Sequence, residues 1–278
     1  MSPRTIRERT LAARFRGLAA LPTMMRIGFH EAMAYRAELF VWMLTTTMPL
    51  VMLPLWLAVA ETGPVGGYDG DHFVAYFLVA FVVRQLTAVW ASYTLNYEVV
   101  HGTLAMRLMR PVHPFWSYAV ESLSAIPLRL VIALPVSLIV LVVTAGRHLP
   151  SDPAVMLLGL LAIAGAWCIA FFANVAIGAL SLFTQSSLKL VDAWLAGYFV
   201  MSGYLVPLSL FPPAIRDLPN WLPFRYQLGF PVELWTGALD RDAVFVQLGA
   251  QWCWVATLAC LAAIVWNRGL ARFSAVSG

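Results

Sequence analysis

Pro153-Ala-Val-Met-Leu-Leu-Gly-Leu-Leu-Ala-Ile-Ala-Gly-Ala-Trp-Cys-Ile-Ala-Phe-Phe-Ala-Asn-Val-Ala-Ile-Gly-Ala-Leu-Ser-Leu-Phe-Thr-Gln-Ser-Ser-Leu188 runs for 36 residues without an Asp, Glu, Lys or Arg. A helix crossing the hydrocarbon of a bilayer needs roughly 20 apolar residues, about 17 at the least. This stretch is long enough for one crossing and too short for two with a turn between them. The pattern recurs in Leu39–Ala60, Phe73–Tyr97 (interrupted only by Arg84), Leu130–Gly146, Ala193–Ile215 and Ala243–Asn267. With 61% hydrophobic residues, 12% charged residues and a mean hydropathy of +0.77, the composition lies outside the soluble globular range. The expectation is an all-α polytopic membrane protein with six transmembrane helices, at about 39–60, 73–96, 118–145, 154–183, 189–211 and 243–267. They form one membrane domain over 39–267, between an N-terminal tail of 1–38 and a C-terminal tail of 268–278.

Orientation follows from the basic residues. Arg4, Arg7, Arg9, Arg14, Arg16, Arg26 and Arg36 precede the first span, Arg107 and Arg110 lie between the second and third, Lys189 between the fourth and fifth, and Arg268 and Arg272 after the sixth. That puts 12 of the 18 basic residues on one side. By the positive-inside rule both termini are cytoplasmic. No cleavable signal peptide is expected, because the first apolar run begins after nearly forty residues and is itself a full span. The net charge of +4 then reflects membrane topology and gives no case for nucleic-acid binding. Cys168, Cys253 and Cys260 have neither metal nor redox spacing and read as small core hydrophobes.

Before the first span, Thr23 is placed to cap a helix starting at Met24. Met25, Gly28, Phe29, Ala32, Met33 and Tyr35 gather on one side of it, with Arg26, His30, Glu31 and Glu38 on the other. Such an amphipathic helix suits the inner headgroup layer. Between the second and third spans comes Glu98-Val-Val-His-Gly-Thr-Leu-Ala-Met-Arg-Leu-Met-Arg-Pro111. Thr103 is placed to cap a helix over Leu104–Arg110, and Pro111 to stop it. Leu104/Leu108 and Ala105/Met109 are spaced to share an apolar side, with Arg107/Arg110 on another. A two-turn helix is unstable alone, so it needs something to press against. That is either a soluble partner delivering force or anionic lipid under the arginines. Before the last span, repeated prolines among aromatics (Pro212, Pro213, Pro219, Trp221, Pro223, Phe224, Tyr226 and Pro231) forbid a single helix and favour the interface. Short helices dipping into the outer leaflet are expected there.

Taken together, the interface helix, the motif Glu98…Gly102-Thr103-Leu104…Leu108…Arg110-Pro111 and the later Leu222-Pro223-Phe224 resemble the permease subunits of type-2 ATP-binding-cassette exporters, especially the bacterial drug- and natural-product-export class. The resemblance covers nearly the whole chain. It implies a subunit of the bacterial inner membrane forming half of a translocation pathway, paired with an identical or sister permease. It also implies that Glu98, Gly102, Thr103, Leu104, Arg107, Leu108, Arg110 and Pro111 couple to a separate ATPase. Arg107 and Arg110 would contact polar groups there, with Leu104 and Leu108 as apolar anchors. Pro219, Pro223 and Phe224 would belong to the outer re-entrant segment. The chain has no Gly-x-x-x-x-Gly-Lys-Ser/Thr phosphate loop. It is therefore expected to bind no cofactor and to be no enzyme by itself, with ATP and Mg2+ held by two partner ATPase subunits.

Ionisable groups near the spans leave two readings open. Arg84 lies mid-span and Arg129 within the third span, while Glu121 and Asp192 lie nearer the cytoplasmic ends. An intramembrane arginine faces protein or a wet cavity rather than lipid. Arg84 and Arg129 either line a cavity for an anionic or amphipathic substrate, or fix the packing by pairing with Glu121 or by snorkelling. Three other functions compete, the third being a purely structural membrane anchor. An integral membrane enzyme would need a His-Glu-x-x-His or Gly-x-Ser-x-Gly motif, and neither occurs. A secondary transporter would carry ionisable relays at mid-depth and broken helices.

Overall fold

In a lipid medium the backbone must satisfy its own hydrogen bonds, and helices do this within one segment. The computed structural model describes residues 20–37, 41, 44, 46–143, 152–184 and 186–276. Among these it contains no strand, only an isolated bridge between Val65 and Tyr68 in the first turn-rich loop. The α-helices are α1 (Leu21–Ala34), α2 (Met48–Ala60), α3 (Gly70–Thr87), α4 (Ala91–Val100), α5 (Leu104–Leu108), α6 (Pro114–Ser124), α7 (Ile126–Val143), α8 (Pro153–Ala179), α9 (Leu188–Met201), α10 (Pro223–Gln227), α11 (Gly229–Trp235) and α12 (Arg241–Val276). Four helical stretches are long and apolar enough to cross a membrane: Gly70–Val100, Pro114–Ile139, Pro153–Leu182 and Asp242–Phe273.

Two expected spans differ. For the first, the described helix is α2, which has 13 residues; most of the expected span ahead of Thr46 lies outside the described residues. For the fifth, α9 ends at Met201, so its 14 residues cover only about 21 Å of a hydrocarbon layer about 30 Å thick. The chain then leaves the helix because Gly203 takes φ +85° and Pro207 has no N–H to donate. Side chains take up the carbonyls this frees. Tyr76 Oη donates to the Gly203 carbonyl at 2.8 Å, and Trp56 Nε1 to that of Leu205 at 3.1 Å.

The second span is also broken, at Ala88–Trp90, where Ala88 turns extended between α3 and α4. The third begins earlier than expected. His113 accepts the Phe115 amide and Pro114 opens α6. The Thr23 cap does not form: α1 starts three residues sooner, with Pro22 in its first turn and no side-chain cap. Leu21, Met24, Gly28 and Ala32 make its inward stripe, and a Cβ on Gly28 would meet Ser124 Oγ of α6 at 2.7 Å.

Small residues let the long helices approach closely. A Cβ on Gly165 of α8 would meet Gln251 of α12 at 2.6 Å, and one on Gly178 would meet the Ser92 backbone at 3.0 Å. Gln251 Nε2 donates to the carbonyls of Ala162 and Tyr226 at 2.8 and 2.9 Å, tying α8, α10 and α12 together. The elements sort to two ends of the bundle. Leu104 of α5, Tyr118 of α6, Leu182 and Trp266 share one core cluster. Leu53, Phe73, Tyr204, Leu228 and Val232 form another, at the end carrying α10 and α11.

Candidate functional site

The short helix α5 is held from beneath by charge. Gly102 adopts φ +71°, a conformation that L side chains rarely take, and so turns the chain out of α4 and into α5. Leu104 is fully buried, Arg107 nearly so, and Leu108 half-buried against the same core. These three positions, spaced i, i+3 and i+4, form the inward face. Arg107 Nε donates to both Glu98 carboxylate oxygens, at 2.8 and 3.0 Å, and Nη2 to Oε1 at 2.5 Å. Its Nη1 donates to Glu121 Oε1 at 2.6 Å. The guanidinium lies 4.3 Å from the centroid of the Tyr118 ring, whose hydroxyl donates to Glu98 Oε2 at 2.6 Å. One arginine thus fastens α5 to the end of α4 and to the last turn of α6. Burial works against the Arg107 charge, but the hydrogen bonds from Glu98 and then the Glu121 charge outweigh it. Its pKa rises above the ordinary arginine value.

This placement reverses part of the expected contact set. Arg107 and Arg110 do not share a face, and Leu104 is inside the protein rather than offered to a partner. The outward face consists of Ala105, Met106, Met109 and Arg110, with Met106 58% and Met109 78% exposed. Thr103 sits at the N-cap position without a side-chain bond, and Pro111 is exposed where the chain leaves the helix. Tyr118 went unnoticed in the sequence, although its i, i+3 spacing from Glu121 already put both on one side of α6.

The intramembrane groups separate. Glu121 is engaged by Arg107, so it pairs with neither Arg84 nor Arg129. Arg129, 5% exposed, donates instead to the Ala88 carbonyl at 2.7 Å, at the break in the second span. Arg84 lies over the Tyr198 ring, 5.0 Å from its centroid. Asp192 is exposed on α9 and takes part in none of the four ion pairs among the described residues. At the other end of the bundle, Pro219 and Pro223 are buried. Phe224 packs on Trp194, ring centroids 4.8 Å apart, over Gly197. Arg225 pairs with Glu233 at 2.7 Å; burial pushes the Glu233 carboxyl above its usual range, and Arg225 offsets only part of that.

A family model described as "ABC-2 family transporter protein" matches residues 41–277. The chain belongs to that family. It is therefore a multi-pass membrane protein and the membrane component of an ATP-binding-cassette transporter. No curated protein matches the permease. Membership implies work with ATPase subunits in general. In that light, the four side chains facing outward from α5 are the exposed part of a short helix anchored through Arg107 to Glu98 and Glu121.

Proposed function

We propose that this permease is half of an export pathway in the bacterial inner membrane, with six spans, both termini cytoplasmic, and α10–α11 re-entrant from the outer side. It pairs with a second permease, identical or a sister chain, and with two ATPase subunits that hold ATP and Mg2+. Coupling runs through the loop 98–111. The observation that carries this reading is the Glu98–Arg107–Glu121 clamp. A helix too short to stand alone is locked to two spans while Met106, Met109 and Arg110 stay exposed. A push on that face would move α4 and α6 as a unit, biasing a two-state equilibrium of the membrane domain. An unanchored helix would absorb the push by tilting.

The division of faces also selects the test. Leu108 supports the core, so its loss would mix folding with coupling; Met109→Asp and Arg110→Glu touch only the outward face. With the cognate ATPase co-expressed, Met109→Asp should lower its co-purification at least several-fold while leaving permease yield and melting temperature unchanged. Undiminished co-purification and ATP-driven transport in both variants would remove α5 as the coupling element.

A further inference from the structure

Arg84 is a mid-span arginine that takes part in none of the ion pairs among the described residues. Arg129 is committed to the Ala88 carbonyl. The Arg84 guanidinium lies over the Tyr198 ring and donates to the hydroxyls of Tyr198 and Tyr204, all neutral groups. Its Nε is buried without a hydrogen-bond partner. Arg84 lines a narrow cleft at the middle of the bundle together with Trp90, Asn174, Trp194, Tyr198 and Gln227. Gln227 arrives from α10, which reaches in beside α8 and α9. It is 4% exposed, and its Nε2 is a second buried donor without a partner.

Ser92 and Asn174, also in the cleft, are engaged with each other and with α8. Ser92 Oγ donates to Asn174 Oδ1 at 2.7 Å, and Asn174 Nδ2 to the Ala170 carbonyl at 2.9 Å. What remains is a cation met only by a tyrosine ring and neutral hydroxyls, with its Nε and the Gln227 amide N–H left unpaired in an apolar, aromatic surround. Buried donors left unpaired are costly and rare in native proteins, and an uncompensated arginine at mid-depth marks a functional site. Both spans beside the cleft are broken, after Thr87 and after Met201. Discontinuous helices of this kind line substrate sites in transporters.

We propose that this cleft receives the anionic head of an amphiphilic substrate. Arg84 and Gln227 donate to a carboxylate, sulfate or phosphate oxygen, and Trp90 and Trp194 flank the adjoining apolar body. The proposal rests on the transport reading and names its substrate class. In the conformation described, the cleft has room for about two waters. That matches a small anionic head, while the apolar body enters only as α10 and its Phe224 withdraw from Gly197.

Calorimetric titration of the full chain in neutral-lipid nanodiscs tests this without an ATPase or a transport assay. A null result therefore leaves the permease assignment standing. Decyl sulfate should bind saturably above empty nanodiscs, and decyltrimethylammonium should not. Arg84→Gln should weaken the sulfate at least tenfold, Gln227→Leu several-fold, and Arg84→Lys far less than Arg84→Gln. Loss of the signal in phosphatidylglycerol nanodiscs would identify a lipid head as the occupant, within the same chemistry. If Arg84→Gln does not fold, Gln227→Leu carries the comparison. Equal binding of both detergents, or variants that bind the sulfate like the parent, overturns the proposal.

Discussion

Arg107 shows how one side chain converts a weak element into a rigid one. Its planar fork satisfies two carboxylates at once, a geometry that a lysine ammonium does not reproduce. The Arg107 and Glu98 side chains are only 10% and 12% exposed, so water cannot take over if one partner is lost. Removing one member of a buried pair costs about 3–5 kcal/mol, because the other is left charged and unpaired. Arg107→Gln should therefore lower stability by about 3 kcal/mol in a denaturant titration in mixed micelles. Arg107→Lys should lose less, and Glu98→Gln combined with Arg107→Gln should lose less than the two single losses added. Strict additivity would show that the contact contributes nothing as a pair. This cluster is not legible in the sequence. Glu98, Arg107 and Glu121 are read there as separate charges, and only the turn at Gly102 folds them together.

Helices follow the apolar pattern wherever it is continuous, and leave it where a single residue intervenes. The second, third, fourth and sixth expected spans correspond to helices of crossing length, since nothing in Pro153–Leu182 competes with the ladder. The fifth fails at Gly203 and Pro207, residues visible in advance whose effect depends on Tyr76 and Trp56 being near enough to receive the freed carbonyls. The break at Ala88–Trp90 has no glycine or proline to announce it; the Ala88 carbonyl it frees is taken by Arg129, 41 residues away. Arg129→Met should leave that buried oxygen unpaired at a cost of about 1–3 kcal/mol. Hydrogen exchange should then quicken in the first turn of α4, and Arg129→Lys, which keeps one donor in reach, should restore most of the protection. Unaltered exchange at Ser92–Leu95 in Arg129→Met would mean that the break maintains itself.

At the scale of the molecule, two opposed ends need to be assigned to two compartments. The positive-inside rule predicts a cytoplasmic α5 end; in the packing α1 lies along α6 beside α5, while α10 and α11 sit at the other end. Met109 and Trp221 give matched reporters, 78% and 79% exposed on opposite ends. Each can be replaced by cysteine without disturbing the core. In intact cells a sulfonated, membrane-impermeant maleimide should label Trp221→Cys at once, and Met109→Cys only after permeabilisation. The native Cys253 and Cys260 lie on the apolar α12, where a charged reagent does not enter the hydrocarbon, so the parent chain sets the background. Labelling in the reverse order would invert the topology. It would also put the clamped helix out of reach of any cytoplasmic ATPase, so this experiment bears on the coupling route as directly as on the direction of the chain.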